Sequence, residues 1–90
     1  MSAIEHESSR RRFVTQVDGH EAYVEYEQGH GVMTITHTIV PSAIGGRGIA
    51  GQLVQAAVEH ARGADLKVDP ACSYAARWFD KHPTYADVRN

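Results

Sequence analysis

Ninety residues are enough for one domain, and they leave no room for a second. A chain this short buries only about 60–65% of its unfolded surface, so its core is thin and a large cavity would be costly. A formal net charge of −2, with 42% hydrophobic and 22% charged residues, suits an ordinary globular protein and argues against strong nucleic-acid binding, which needs a clustered positive field.

Residues 1–9 are polar, read as a loosely held arm preceding a domain over 10–90, and lack the apolar run of a signal peptide. No segment approaches the ~20 apolar residues of a membrane span, so a cytoplasmic protein without a membrane partner is expected. The basic run Arg10-Arg11-Arg12 is either a solvated strand start or a device that attracts an anionic ligand.

From Arg12 the pattern has strand period, with Phe13, Thr15 and Val17 alternating with Val14 and Gln16. Asp18-Gly19 signals a hairpin, because a type I′ turn needs positive φ. Ala22, Val24 and Tyr26 then give a second strand a dry face opposite Glu21, Tyr23, Glu25 and Glu27. After a turn over Gln28–Gly31, a third strand runs from Val32 to Val40. Strict alternation places Met33, Ile35, His37 and Ile39 on one face, and Pro41 ends the ladder.

An apolar stripe at helical period (Ile49, Ala50, Leu53, Val54, Ala57, Val58, Ala61) predicts a helix over about Arg47–Arg62, with Gly63 as its C-cap. Leu66–Val68 reads as a short fourth strand. Ser73 reads as the cap of a second helix that buries Ala75, Ala76, Trp78 and Phe79. The order is βββαβα: an α/β fold of antiparallel strands with a βαβ crossover that sets the fourth strand parallel to the third.

Between the longest strand and the best helix lies Pro41-Ser42-Ala43-Ile44-Gly45-Gly46-Arg47-Gly48-Ile49-Ala50-Gly51. The first amides of a helix lack internal partners, and glycines let an anion approach the backbone. This stretch is either a phosphate-binding turn for a nucleotide-type cofactor or a tight turn that needs positive φ. It lacks the Gly-Lys-Ser/Thr of a Walker loop and the spacing of a Rossmann fingerprint.

Imidazole as a group can accept a proton near neutral pH, which makes His37 a candidate general base; the alternative is a hydrogen-bonded core histidine. Cys72, the single cysteine, allows no internal disulfide and fits a reducing compartment. Placed before a helix start, it is either a reactive thiol or a small buried hydrophobe, and a Cys72–His37 pair at neighbouring strand ends is feasible. Tyr74 is either a cofactor contact or core. The scattered histidines have no metal-ligand spacing with Cys72, so no metal is expected.

The turn resembles motif A of the GNAT superfamily of acetyltransferases, Arg/Gln-x-x-Gly-x-Gly/Ala, through Gly48 and Ala50. Gly45 stands where the family usually has Arg or Gln. His37-Thr38-Ile39-Val40-Pro41, Pro70-x-Cys72-Ser73-Tyr74, His82-Pro83-x-Tyr85-Ala86-Asp87, Arg12-Phe13 and Ala22–Tyr26 resemble the small single-domain YjdJ-like GNAT proteins over residues 10–88.

That resemblance implies an acetyl-CoA-dependent N-acetyltransferase acting on a primary amine of a small molecule or protein. The pantetheine would pair with backbone near Ile39 and Val40, and the pyrophosphate would sit on amides from Gly46 to Ala50, including Ile49, in the turn that Gly45 opens. Arg47 is either a phosphate ligand or a solvent-facing helix-start residue. Cys72 would carry the acetyl group covalently or wall the acyl pocket. The alternatives are a CoA- or acyl-CoA-binding module with little turnover and an interaction domain that keeps only the fold.

Overall fold

The computed structural model describes residues 3–90. Strands β1 (Glu5–Glu7), β2 (Arg12–Val17), β3 (His20–Gly29) and β4 (Val32–Ile39) form an antiparallel meander, followed by helix α1 (Ile49–Gly63), strand β5 (Lys67–Pro70) and helix α2 (Ser73–Lys81). The sheet order is β1-β2-β3-β4-β5, and β5 runs parallel to β4, as the crossover requires. The β2–β3 and β3–β4 hairpins close through two-residue turns. Asp18 and Gly19 have φ of 50° and 77°, and His30 and Gly31 have 54° and 77°. Such turns match the twist of the strands they join. The second is tighter than the four residues expected, since Gln28 and Gly29 stay paired in β3.

One core joins Phe13, Ala22, Val24, Tyr26, Met33 and Ile35 of the sheet to Leu53, Val54, Ala57 and Val58 of α1 and Ala75, Trp78 and Phe79 of α2. Both helices therefore lie on one face. Among the described residues no helix covers the other, where Glu7, Arg12, Glu21, Tyr23 and Glu25 point. The C-terminal tail lies along the far edge of β5: the Val68 amide donates to the Val88 carbonyl (2.8 Å), and the Asn90 amide to the Val68 carbonyl (2.7 Å).

Several boundaries differ from the sequence reading. Residues 5–7, expected within a loose arm, pair with Arg12–Val14 as an edge strand; residues 1 and 2 lie outside the described residues. An edge strand needs only backbone partners and one packed side chain, and His6 supplies it by stacking on Phe13 with ring centroids 4.1 Å apart. Helix α1 ends with Gly63 still helical, and the left-handed residue is Asp65, at φ 62°. Ser73 is the first residue of α2 rather than its cap. Cys72 caps the helix, its Sγ accepting from the Ala75 amide at 3.4 Å.

Arg12 is nearly buried on the helix-free face. Its guanidinium donates to Glu7 (2.5 Å) and Glu21 (3.1 Å) and lies over the Tyr23 ring. The Glu7 hydrogen bond is the chief reason its pKa is raised, against the opposing effect of burial. Paired in this way, the charge is tolerated where a lone one would not be.

His6 also bonds the Tyr26 hydroxyl (2.5 Å) and meets the His60 ring edge-on at 4.4 Å. Its pKa is lowered, first by desolvation and then by the charge of His60. The unfolded chain therefore takes up this proton at higher pH than the folded one. The associated stability is present above about pH 6.5 and is lost as pH falls toward the folded pKa. The urea midpoint should drop between pH 7 and pH 5, and by less in His6→Asn. An equal drop in both proteins would remove His6 as the cause.

Candidate functional site

The site begins with a break in β4. Across the β3–β4 pair, Glu25 faces His37 and the next residue, Tyr26, faces Ile35, so Thr36 is an extra residue in β4. Its hydroxyl donates to the Glu25 carbonyl (3.3 Å). A bulge bends its strand and can end pairing on the other side. The β4–β5 ladder does stop there: its last pair is Ile35 with Pro70, followed by one bond from the Cys72 amide to the Ile35 carbonyl (3.1 Å). Beyond it, β5 gives way to α2 while β4 continues to Ile39. The backbone groups of residues 36–39 that face away from β3 have no strand partner among the described residues.

The bulge also reverses which side chains face the helices. Strict alternation put His37 and Ile39 with Met33 and Ile35. With Thr36 inserted, Thr38 turns to the helix side opposite Val24, while His37 and Ile39 turn outward opposite Glu25 and Tyr23. His37 is accordingly well exposed (64% of its side chain), with Nδ1 3.5 Å from Glu25 Oε1, and is not a core histidine. Ile39 is 42% exposed. Thr38 Oγ1 lies 3.4 Å from Cys72 Sγ. Cys72 and His37 thus stand on opposite sides of β4, and no hydrogen bond joins them among the described residues.

Past Val40, a 3-10 turn over Ser42–Ile44 buries Ile44 and leads into the glycine-rich loop. The Gly45 amide is already bonded to the Ser42 carbonyl (3.1 Å), so Gly45 stands apart from the open amides. Gly46 and Gly48 have φ of 76° and 75°, and a Cβ on either would project into open space. Gly48 caps α1 without any side-chain bond. Among the described residues, the amides of Gly46, Arg47, Gly48, Ile49, Ala50 and Gly51 find no acceptor; the first intrahelical bond is from Gln52 to Gly48. Unpaired amides at the positive end of a 15-residue helix form a cradle for an anion. Arg47 is drawn to the side by Asp18 (2.7 Å) in an exposed pair worth about 0–1 kcal/mol, weak enough to yield to a phosphate.

Beside this cradle, the first turn of α1 and the length of α2 enclose a groove of about 250 Å³. Gly51 forms one wall, and Tyr74, Arg77, Trp78, Lys81 and His82 form the other. A Cβ at Gly51 would lie 3.4 Å from the Tyr74 hydroxyl, in van der Waals contact across the groove. Tyr74, Arg77, Trp78 and Lys81 follow i, i+3, i+4, i+7 spacing, which was the sequence signal for Arg77 and Lys81 as site residues. Thr38, the other functional candidate missed, had no signal, because its orientation depends on the bulge.

The family profile described as GCN5-related N-acetyl-transferase matches residues 12–88. Protein NATD1 of Gallus gallus is 36% identical over 83 residues, covering 89% of this chain and 76% of the relative. Protein NATD1 of Homo sapiens is likewise 36% identical, covering 89% and 74%. The NMR solution structure of a GCN5-like protein from Staphylococcus aureus superposes with a TM-score of 0.78 at 31% identity, covering 98% of this chain and 87% of that one.

Proposed function

Because the chain belongs to the GCN5-related N-acetyltransferase family, we propose that it transfers an acetyl group from acetyl-CoA to a primary amine. The observation that carries this reading is the parting of β4 from β5 at Thr36, with open backbone on one side, Cys72 at its head and the unpaired amides of residues 46–51 at its exit. An amide-bearing chain such as pantetheine fits a strand edge that lacks its neighbour, near Ile39 and Val40. A pyrophosphate fits the amides of Gly46, Arg47, Gly48, Ile49 and Ala50. Arg77 and Lys81 give the groove beside Tyr74 a positive lining suited to further phosphate.

In this reading Thr38 and Cys72 line the acyl end on the helix side, and His37, oriented by Glu25, waits on the open side. His37 accepts the proton that the acceptor ammonium must lose. The amine nitrogen then forms the new C–N bond as the thioester C–S bond breaks, the electron pair leaves on sulfur, and the second amine proton passes to that sulfur so that CoA departs as the thiol. A backbone amide freed by the bulge stabilises the carbonyl oxygen as charge develops. Separation of His37 from Cys72 favours direct attack over a covalent acetyl-cysteine.

Intact-protein mass spectrometry after mixing with acetyl-CoA, beside calorimetry with CoA, tests the reading. Saturable CoA binding, no stable acetyl adduct on Cys72, and acetylation of an added amine are expected. An adduct that disappears in Cys72→Ala would replace direct transfer by the covalent route. Binding without transfer to any amine would leave a CoA-binding module, and no binding would leave the fold alone.

A further inference from the structure

The arginine run is divided by the fold. Arg12 turns under the sheet and is held by Glu7 and Glu21, as described. Arg10 has only a long 3.9 Å contact to Glu7. Arg11 has no ion pair among the described residues and sits at φ 51°, ψ 54°, a left-handed conformation that costs a non-glycine residue about 1 kcal/mol or more. Two backbone bonds keep it there: its amide donates to the Ser8 carbonyl (3.1 Å), and its carbonyl accepts from the Tyr26 amide (3.0 Å). Tyr26 is the β3 residue at which the bulge occurs, so Arg11 is fixed across β3 from the break in β4.

There a shallow groove of about 280 Å³ opens on the helix-free face. Arg10 and Arg11 line one part of it, and Glu25, Tyr26, Glu27, Thr36 and His37 line the rest. His37 is one residue from Thr38, whose hydroxyl touches the Cys72 sulfur. This volume falls just short of the roughly 300–1,000 Å³ of drug-sized ligand sites, which suits a small ligand. A simple cation entering it meets two arginines, one unpaired among the described residues and one only loosely paired, and a simple anion meets two glutamates. A molecule carrying both charges satisfies both ends.

Resting on the function proposed above, we propose that the acceptor is a small zwitterionic amine. Its ammonium sits at Glu25, Glu27 and His37, and its carboxylate or phosphate is held by Arg11 with help from Arg10. Arg11 acts on binding and orientation of the acceptor and takes no part in holding CoA.

The test is calorimetric titration of the protein, with and without saturating CoA, using L-α-amino acids and their α-carboxamides, and phosphoethanolamine beside ethanolamine. At least one zwitterion should bind tenfold or more tighter than its partner that lacks the anionic group. The pair that discriminates tells carboxylate from phosphate. Arg11→Asn, chosen because Asn tolerates the left-handed backbone, should erase that preference and raise KM about tenfold with kcat and CoA affinity retained. Arg10→Gln should weaken it less. Equal or tighter binding of the partners that lack the anionic group, no binding by any zwitterion, or a preference that survives both variants would overturn the proposal. Failure of the wild-type protein to bind CoA would instead overturn the acetyltransferase reading, while the titration without CoA would still decide the groove.

Discussion

Gly48→Glu should abolish detectable CoA binding, a loss of at least 100-fold, in a protein that still folds. Gly48 is the left-handed cap of α1, next to the unpaired amides, and a Cβ there would meet nothing within 4 Å. A glutamate there places a negative charge at the positive end of the helix, where the phosphate would lie, and adds the backbone cost of φ 75°. Gly48→Ala separates the two effects. It carries the strain, about 1 kcal/mol, without the charge, and should bind CoA more weakly but measurably. Calorimetry with circular dichroism as the folding control reads both. Tight binding by folded Gly48→Glu would remove the phosphate from this loop.

Deletion of Thr36 should have an effect of similar size by a different route. Thr36 is the one residue of β4 without a counterpart in β3, so its removal leaves Ile35 and Thr38 facing the core and His37 facing out. The core pattern survives, and a cooperative thermal transition should be kept. The bend that an inserted residue gives β4 is lost, which shifts the free edge of residues 37–39 relative to Cys72 and disturbs the proposed channel for the acyl donor. CoA binding should fall by at least tenfold, and acetyl transfer to any amine should disappear. A deletion protein that folds and binds CoA normally would show that the parting of the strands owes nothing to the bulge.

That bulge marks the limit of what the amino-acid pattern discloses. Residues 32–40 alternate so regularly that one register explains them all, and nothing in Thr34, Thr36 and Thr38 says that the middle one is extra. Only the partner strand fixes it, because an inserted residue is a property of a pair. The face of His37, and with it the separation from Cys72, was therefore out of reach. Elements whose signals are local were legible: the Asp18-Gly19 turn, the apolar stripe of α1, the parallel crossover and the glycine-rich loop that leaves six amides open. Strand β1 escaped because Glu-His-Glu shows no apolar alternation, and its stacking partner Phe13 is six or more residues away along the chain. Cys72 displaced Ser73 as the cap because the chain turns into the helix one residue earlier than the usual preference suggests.

The two tight turns bear on the order in which the molecule assembles. Strands β2, β3 and β4 are neighbours in sequence, joined by two residues each, and hairpins of this kind form in roughly 1–10 μs. Strand β5 must wait until α1 has closed the long connection back to β4, and contacts that distant in sequence are the slow ones. The meander is thus the natural nucleus, and the half of the molecule that holds the amide cradle and the α1–α2 groove condenses afterwards. Substitutions at Gly19 or Gly31 would act mainly on the refolding rate, and those at Val68 or Trp78 mainly on the unfolding rate. A chevron plot would then divide the chain at β4, the strand along which its proposed chemistry is also divided.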